Sequence, residues 1–360
     1  MVENKALAHT TQFAPVDGKG NVVGASLNEQ LGAAMANVGT ALGEVGSGLS
    51  QIVRLNVYAT TNEHVEQARR LLKNHLGPGS HPVATFVATQ LPHAKTLVAL
   101  DAIATVSDNR APAKVLRHSS PKLADNGGVA HVVVLPKGRT LYISGMADPE
   151  GGLADATTGT MEQLHTVLAL NGIGPKEVVH LKAYMKPVDE SYVAEEAMAY
   201  FYPKQTAPAM TFIEWRNGIP IEIELIAHLP GEGDSDDPVQ LLWQPEEKRS
   251  PVYCRFAVVN SATRIYTQAF LSKEAVDADG QIRSIYQQLE AVLSPLGSDF
   301  RHLVKATYLH SADDTSKALN AIRPELYDPK RPPAASKASI AGTGDEQRTM
   351  LIDMIAVPSN

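Results

Sequence analysis

Apolar residues recur at helical spacing at Leu27, Leu31, Met35, Val38 and Leu42, behind a Ser26 that suits an N-cap. Gly46-Ser47-Gly48 ends that pattern, and Ile52-Val53-Arg54-Leu55-Asn56-Val57-Tyr58 then alternates apolar and polar positions as a half-buried strand does. The same succession returns twice. Met161, Leu164, Val167 and Leu168 predict a helix that stops at Asn171-Gly172, ahead of a strand from Val178 to Tyr184. Ile282, Ile285, Leu289 and Val292 predict another, broken near Pro295 and Gly297, ahead of a strand from Leu303 to Tyr308. Val53, Val179 and Val304 anchor these strands about 125 residues apart, a domain period and not a solenoid period. A second helix follows each strand (roughly 62–75, 189–202 and 313–327), then a Pro-containing turn and two closing strands. The last strands read Leu100-Asp101-Ala102-Ile103-Ala104, Ile223-Glu224-Leu225-Ile226-Ala227 and Ile352-Asp353-Met354-Ile355-Ala356. Three matches in one order predict three copies of a single α+β domain.

The copies are expected at 1–107, 112–230 and 250–360, with an acidic, Gly-containing linker over 231–249 and a Pro-, Ser- and Asn-rich connector over 108–127. Copies two and three carry a leading strand, His131 to Leu135 and Tyr253 to Val259, ahead of a hairpin partner. Only about ten residues precede Thr10-Thr11-Gln12, so copy one is expected to lack most of its first strand.

Composition narrows the function classes. Hydrophobic residues make up 44 % and charged residues 20 %, which fits folded soluble domains and excludes disorder. A net charge of −7 with scattered Lys and Arg argues against a nucleic-acid partner, since few cations are available to displace counterions. The single Cys254 rules out an internal disulfide and a cysteine-only zinc site, and suits a reducing, cytoplasmic setting. Met1-Val2-Glu3-Asn4-Lys5 has no apolar h-region and no stretch approaches the ~20 apolar residues of a membrane span, so neither a targeting nor a membrane-spanning segment is expected. His residues show no metal-ligand spacing, and there is no Gly-rich phosphate loop, so neither a metal nor a cofactor is expected.

The order of hairpin, helix, Val-Lys-like strand, helix, Pro-Ala-x-Thr/Ser strand and closing strand resembles the Rid (YjgF-type, endoribonuclease L-PSP) family of reactive-intermediate deaminases. Lys305-Ala306-Thr307-Tyr308, Ser144-Gly145, Pro208-Ala209 and Glu222-Ile223-Glu224-Leu225-Ile226-Ala227 carry the resemblance, which covers nearly the whole chain outside the connectors. It implies three chorismate-mutase-like domains, each a mixed sheet with two helices on one face, arranged as an intramolecular pseudo-trimer in a monomeric chain, with higher assembly open. It also implies small-molecule clefts between the domains and hydrolytic deamination of an imine or enamine in one of them.

The family's carboxylate-binding Arg occupies the third place of its Pro-Ala-Arg-Ser/Thr strand, where this chain has Ala84, Met210 and Ala335. Other functional positions survive, scattered among the copies. Glu222 matches the carboxylate that handles a water, whereas copies one and three have Ala99 and Leu351. Ser144-Gly145 matches a turn whose backbone N–H polarises a carbonyl, and Asn320 a second-helix amide that is Arg69 and Glu195 elsewhere. The leading-strand aromatic hydroxyl maps near Tyr253 and, in copy two, near His131. Lys337 lies two residues after Ala335, on the same strand face, and is a candidate replacement for the Arg. The expectation is that Glu222 and Ser144-Gly145 meet Asn320 or Lys337 at one surviving interface, with Glu222 as acid or base. Each residue also has a plain structural reading: Glu222 as a strand's exposed edge, Ser144-Gly145 as a bulge, Asn320 as a solvated helix position. Two other functions stand beside the deaminase: a non-catalytic small-molecule binder, and an endoribonuclease, against which the acidic charge weighs.

Overall fold

A computed structural model describes all residues except 78, 234, 275, 276 and 360. The chain runs β1 (Val2–Glu3), β2 (Leu7–Thr10), α1 (Leu27–Glu44), β3 (Ile52–Ala59), α2 (Asn62–Leu71), β4 (Val83–Ala88) and β5 (Val98–Thr105). It continues through β6 (Leu116–His118), β7 (Val132–Leu135), β8 (Arg139–Met146), α3 (Leu153–Leu170), β9 (Val178–Met185), α4 (Ser191–Ala199), β10 (Ala209–Glu214) and β11 (Ile221–Leu229). The last third is β12 (Val239–Leu242), β13 (Phe256–Val259), β14 (Thr263–Tyr266), α5 (Ala278–Leu293), β15 (Leu303–His310), α6 (Asp313–Leu326), β16 (Ala334–Ser339) and β17 (Met350–Ala356). These strands form three mixed sheets, ordered β4-β3-β5-β2-β7-β6, β10-β9-β11-β8-β13-β12 and β16-β15-β17-β14-β1. The fold is α+β, as the periodicity predicts.

Local chemistry explains the elements. The Ser26 hydroxyl accepts the Glu29 amide while the Glu29 carboxylate accepts the Ser26 amide, closing a capping box at the start of α1. Leu27, Leu31, Met35, Val38 and Leu42 then bury one stripe of that helix against the first sheet. Helices α3 and α4 pack on the second sheet and α5 and α6 on the third in the same way.

The helix-free faces of the sheets meet one another. Leu7, Ile103, Tyr142, Val179, Tyr266, Val304 and Ile355 join at one level, and Tyr58, Tyr184, Trp215, Leu309 and Leu351 at another. The alternation in β3 predicts a polar face toward water. Instead Arg54, Asn56 and Tyr58 are buried against the other two sheets. The reason is tertiary: a sheet with helices on one face and sister sheets on the other has no wet side.

Strand placement also departs from the sequence reading. β7 does not pair with β8 across the short link 136–138, but with β2 of the first sheet. β13 likewise pairs with β8, and β1 with β14. The leading strand of each segment therefore completes the neighbouring sheet, and the place beside β2 that looked vacant is filled by Val132–Leu135. The two connectors are not bare linkers, because each adds an edge strand, β6 on β7 and β12 on β13. No helix among the described residues is long and apolar enough to cross a membrane.

Candidate functional site

Three seams separate the sheets, each with an outer strand of one sheet facing the next unit. Ala84, Met210 and Ala335 occupy matching register positions, opposite Leu55, Leu181 and Ala306. The seam at Ala84 holds a cavity of about 410 Å³, where Arg69 lies over the Phe86 ring and Leu351 provides no carboxylate. The seam at Met210 holds a cavity of about 350 Å³ with Phe212, Glu195 and Ala99 in its wall. There the Thr11 hydroxyl donates to the Met210 carbonyl (2.8 Å) and the Gln12 amide to the Phe212 carbonyl (3.0 Å), so both side chains are spent on a strand edge. Burial pushes the Glu195 carboxyl up to about 7.

The seam at Ala335 has different chemistry. Glu222 sits on β11 opposite Tyr184, with its carboxylate packed on Gly145 of β8. Its Oε1 is buried and has no hydrogen-bond partner. Burial pushes its pKa up to about 7; Lys305, Lys337 and Arg255 pull it down and Glu224 pushes it further up. Across the seam, Lys337 Nζ donates to Ser316 Oγ (3.1 Å) and Asn320 Oδ1 (3.3 Å). Burial and the Arg323 charge lower the Lys337 pKa, while Glu222 raises it, so each group senses the other. Arg323 donates to the same Asn320 oxygen (2.6 Å), lies 4.6 Å from the Tyr308 ring centre, and forms no ion pair with a carboxylate among the described residues. One half-protonated carboxyl thus lies within electrostatic reach of Lys337, a half-buried cation that has Arg323 beside it and forms no ion pair among the described residues. Such a set can hold an anionic group and move a proton beside it.

Glu222 is packed on Gly145, Lys337 is hydrogen-bonded to Asn320, and Lys337 senses the Glu222 charge, while other candidates do not join them. Ser144-Gly145 is no turn but a bulge inside β8, at the register shift against β11. The Ser144 amide donates to the Arg255 carbonyl, and its hydroxyl bridges the Ala335 amide and the Cys254 carbonyl, so Ser144 ties two units together and polarises no ligand. Tyr253 precedes β13 instead of lying within the strand, and stacks with the Arg255 guanidinium at 5.5 Å. His131 lies at the Met210 seam, stacked on Phe13, with Nδ1 accepting from the Ser120 amide and Nε2 facing the Ala124 carbonyl. With both nitrogens occupied it braces the connector. Met210 belongs to that same seam, apart from Glu222. The sequence reading missed Arg323, although Ser316, Asn320 and Arg323 fall at the four- and three-residue steps of one helix face.

Gly145 has a steric role. A Cβ added there would fall on the Glu222 carboxylate. Gly145→Ala is expected to push that carboxylate out of its buried position, returning its pKa toward the ordinary value near 4.5. Carboxyl carbon NMR shifts followed through a pH titration check this, and an unchanged midpoint near 7 would contradict it.

Residues 1–106 match the family described as endoribonuclease L-PSP. Among solved structures, a YjgF-family member from Neisseria meningitidis is 16 % identical, covering 34 % of this chain and 96 % of its own, with a TM-score of 0.27. A conserved Rid-family protein of unknown function from Yersinia pestis is 29 % identical over 28 % of this chain and 87 % of its own, TM-score 0.26. A YjgF-type protein from Mycobacterium tuberculosis is 18 % identical over 32 % of this chain and 98 % of its own, TM-score 0.24. A search among curated proteins finds no match.

Proposed function

We propose that this chain, whose residues 1–106 carry the domain of the endoribonuclease L-PSP (Rid/YjgF) family, is a pseudo-trimeric hydrolase that deaminates a reactive imine or enamine at the Ala335 seam. The observation that carries this reading is Glu222, a buried-oxygen carboxyl with a pKa near 7, set against Lys337. In its ionised form Glu222 takes a proton from water as the water oxygen adds to the imine carbon and the C=N pair moves to nitrogen. The protonated carboxyl returns that proton to the nitrogen, giving the neutral carbinolamine; Glu222 then takes the carbinolamine hydroxyl proton and passes it to the nitrogen as the C=O bond forms and the C–N bond breaks, so that ammonia leaves with a carbonyl product. Lys337, backed by Arg323 through Asn320, supplies the positive charge that the missing strand Arg would have supplied.

The test is a coupled assay in which an amino-acid oxidase generates imines and semicarbazide competes for them. The wild-type chain is expected to speed imine loss and Glu222→Gln to leave it at the background rate. If the wild type accelerates none of a panel of acidic and neutral imines, the hydrolase reading fails and the chain is a binding scaffold. Lys337→Met is expected to raise KM for acidic imines roughly tenfold, the value of one charge-assisted contact, and to leave neutral imines unchanged. Equal effects on both substrate types would remove Lys337 from substrate binding.

A further inference from the structure

Away from the three seams, the connector after the first copy crosses the second unit, and a cavity of about 700 Å³ lies between them. The connector supplies Lys114, Val115 and Arg117 to its wall, and the second unit supplies Lys176, Glu177 and His228. Arg117 builds this corner. From β6 its guanidinium donates to the carbonyls of Thr206 (2.8 Å), Val178 (2.9 Å) and Pro175, and it lies 5.0 Å from the Tyr202 ring centre. Those contacts fix the connector against the start of β9 and the loop ahead of β10.

The charge of this wall is one-sided. Lys114, Arg117 and Lys176 are positive, and Glu177 is the one carboxylate among the described residues that line it. Other lysines near the connector have partners, Lys122 with Glu44 and Lys137 with Asp108, whereas Lys114 and Lys176 form no ion pair among the described residues. Glu177 is itself shared: a carboxylate oxygen accepts the Gly174 amide (3.0 Å), and its charge acts on both Arg117 and His228. Three cations against one carboxylate leave an excess of two positive charges. His228 is 8 % exposed, and neither ring nitrogen has a hydrogen-bond partner. Burial lowers its pKa, and the cation that adds to that push is Arg264. The Arg117 Nε–H is likewise buried without a partner. Unpaired buried polar groups destabilise a fold and are rare in native proteins, yet those of two residues border this one cavity.

We propose that this cavity is a binding site for a small phosphate ester. Lys114, Lys176 and the Arg117 guanidinium hold the phosphate, a ring N–H of His228 completes the cradle, and Ala113, Val115 and Pro230 carry the organic part. Charge selects the class. A phosphate monoester brings about −1.5 to −2 charges and three acceptor oxygens at pH 7, which matches the excess in the wall, whereas a monocarboxylate brings a single charge. Size points the same way, because a cavity of about 700 Å³ is of small-molecule and not of single-ion dimensions. The site is independent of the Glu222 chemistry, since half of its wall is the connector and none of it belongs to the Ala335 seam.

Calorimetric titration of the whole chain with phenyl phosphate, benzoate and inorganic phosphate at one ionic strength tests the proposal. Phenyl phosphate is expected to bind saturably at one site. Benzoate, which lacks the second charge, and inorganic phosphate, which lacks the organic part, are each expected to bind roughly tenfold more weakly or worse. Lys114→Met and Lys176→Met alter exposed side chains, and each is expected to weaken phenyl phosphate roughly tenfold, as loss of one charge-assisted contact does. Arg117→Met is expected to weaken it further; should that variant not fold, the two lysine variants decide. Crystals of the unaltered chain soaked in phenyl phosphate are expected to show the phosphate within hydrogen-bond distance of Arg117 and Lys176. No saturable binding, equal affinity for benzoate or for inorganic phosphate, an affinity unchanged in both lysine variants, or a phosphate found only in a seam would each overturn the proposal.

Discussion

Glu222→Gln is expected to slow imine hydrolysis by roughly 10²–10³-fold while making the protein more stable than the wild type above neutral pH. The first effect follows from removing the one group at the seam able to take and return the proton. The second follows from its titration. The Glu222 carboxyl has a pKa of about 7 in the folded chain and 4.5 in the ordinary state, so the folded form holds its proton more tightly. Below pH 4.5 the group is protonated whether the chain is folded or not, and it sets no penalty. Between 4.5 and 7 the unfolded chain ionises first, and stability falls as pH rises. Above 7 the folded chain carries an ionised carboxylate in a poor solvent, at the full penalty. The shift corresponds to about 2–3 kcal/mol once partial access to water is allowed for. Glutamine does not titrate, so the stability gap should grow from near zero at pH 4.5 to this value at pH 8, read from urea unfolding. A gap that is constant across that range would mean the carboxylate is not desolvated. Wild-type activity should rise with pH through about 7, as the base form of Glu222 accumulates.

That coupling of a working group to a stability cost bears on what the sequence discloses. The helices and the strands behind Val53, Val179 and Val304 were legible because their periodicity is local, and α1 even begins at its expected Ser26 cap. The partners of the leading strands were not. Val132-Val133-Val134-Leu135 is buried on both faces, so nothing in its pattern distinguishes pairing across a tight link from pairing with another sheet. Polar residues inside β3, β9 and β15 read as a wet face, because alternation reports a change of environment and not which environment it is. Lys337 was found through its strand position, two residues after Ala335 on the same face, and Glu222 through the family position that its strand resembles. Arg323 was missed because the Tyr308 ring it lies over belongs to another element, and its Asn320 partner three residues back on the same helix does not mark it as a site residue. His131 was misread for the opposite reason, since a bracing histidine and a ligand-binding one look the same until both nitrogens are seen to be occupied.

The polar layer between the sheets should be the most sensitive place in the fold. Its contacts run in one rotational sense: Arg54 and Thr85 of the first sheet reach Asp353 of the third, Lys305 of the third reaches Glu224 of the second, and Thr211 of the second reaches Asp101 of the first. His180 occupies the place of the third cation, at the position of Arg54 and Lys305, and burial lowers its pKa to about 4, so the third link is made by neutral hydrogen bonds. The Arg54 and Asp353 side chains are 6 % and 3 % exposed, and deleting either strands the other in a region with almost no water. Asp353→Ala and Arg54→Ala are each expected to lower stability by about 3–5 kcal/mol in denaturant unfolding. The paired change Arg54→Met with Asp353→Leu should recover most of that loss, because the cost arises from the unpaired charge more than from the lost attraction. If each single variant stays within about 1 kcal/mol of the wild type, as exposed pairs do, the layer must admit enough water to solvate a lone charge. A paired variant as unstable as the sum of its two parents would instead show that the ion pair itself, and not relief of an orphaned charge, holds the first and third sheets together.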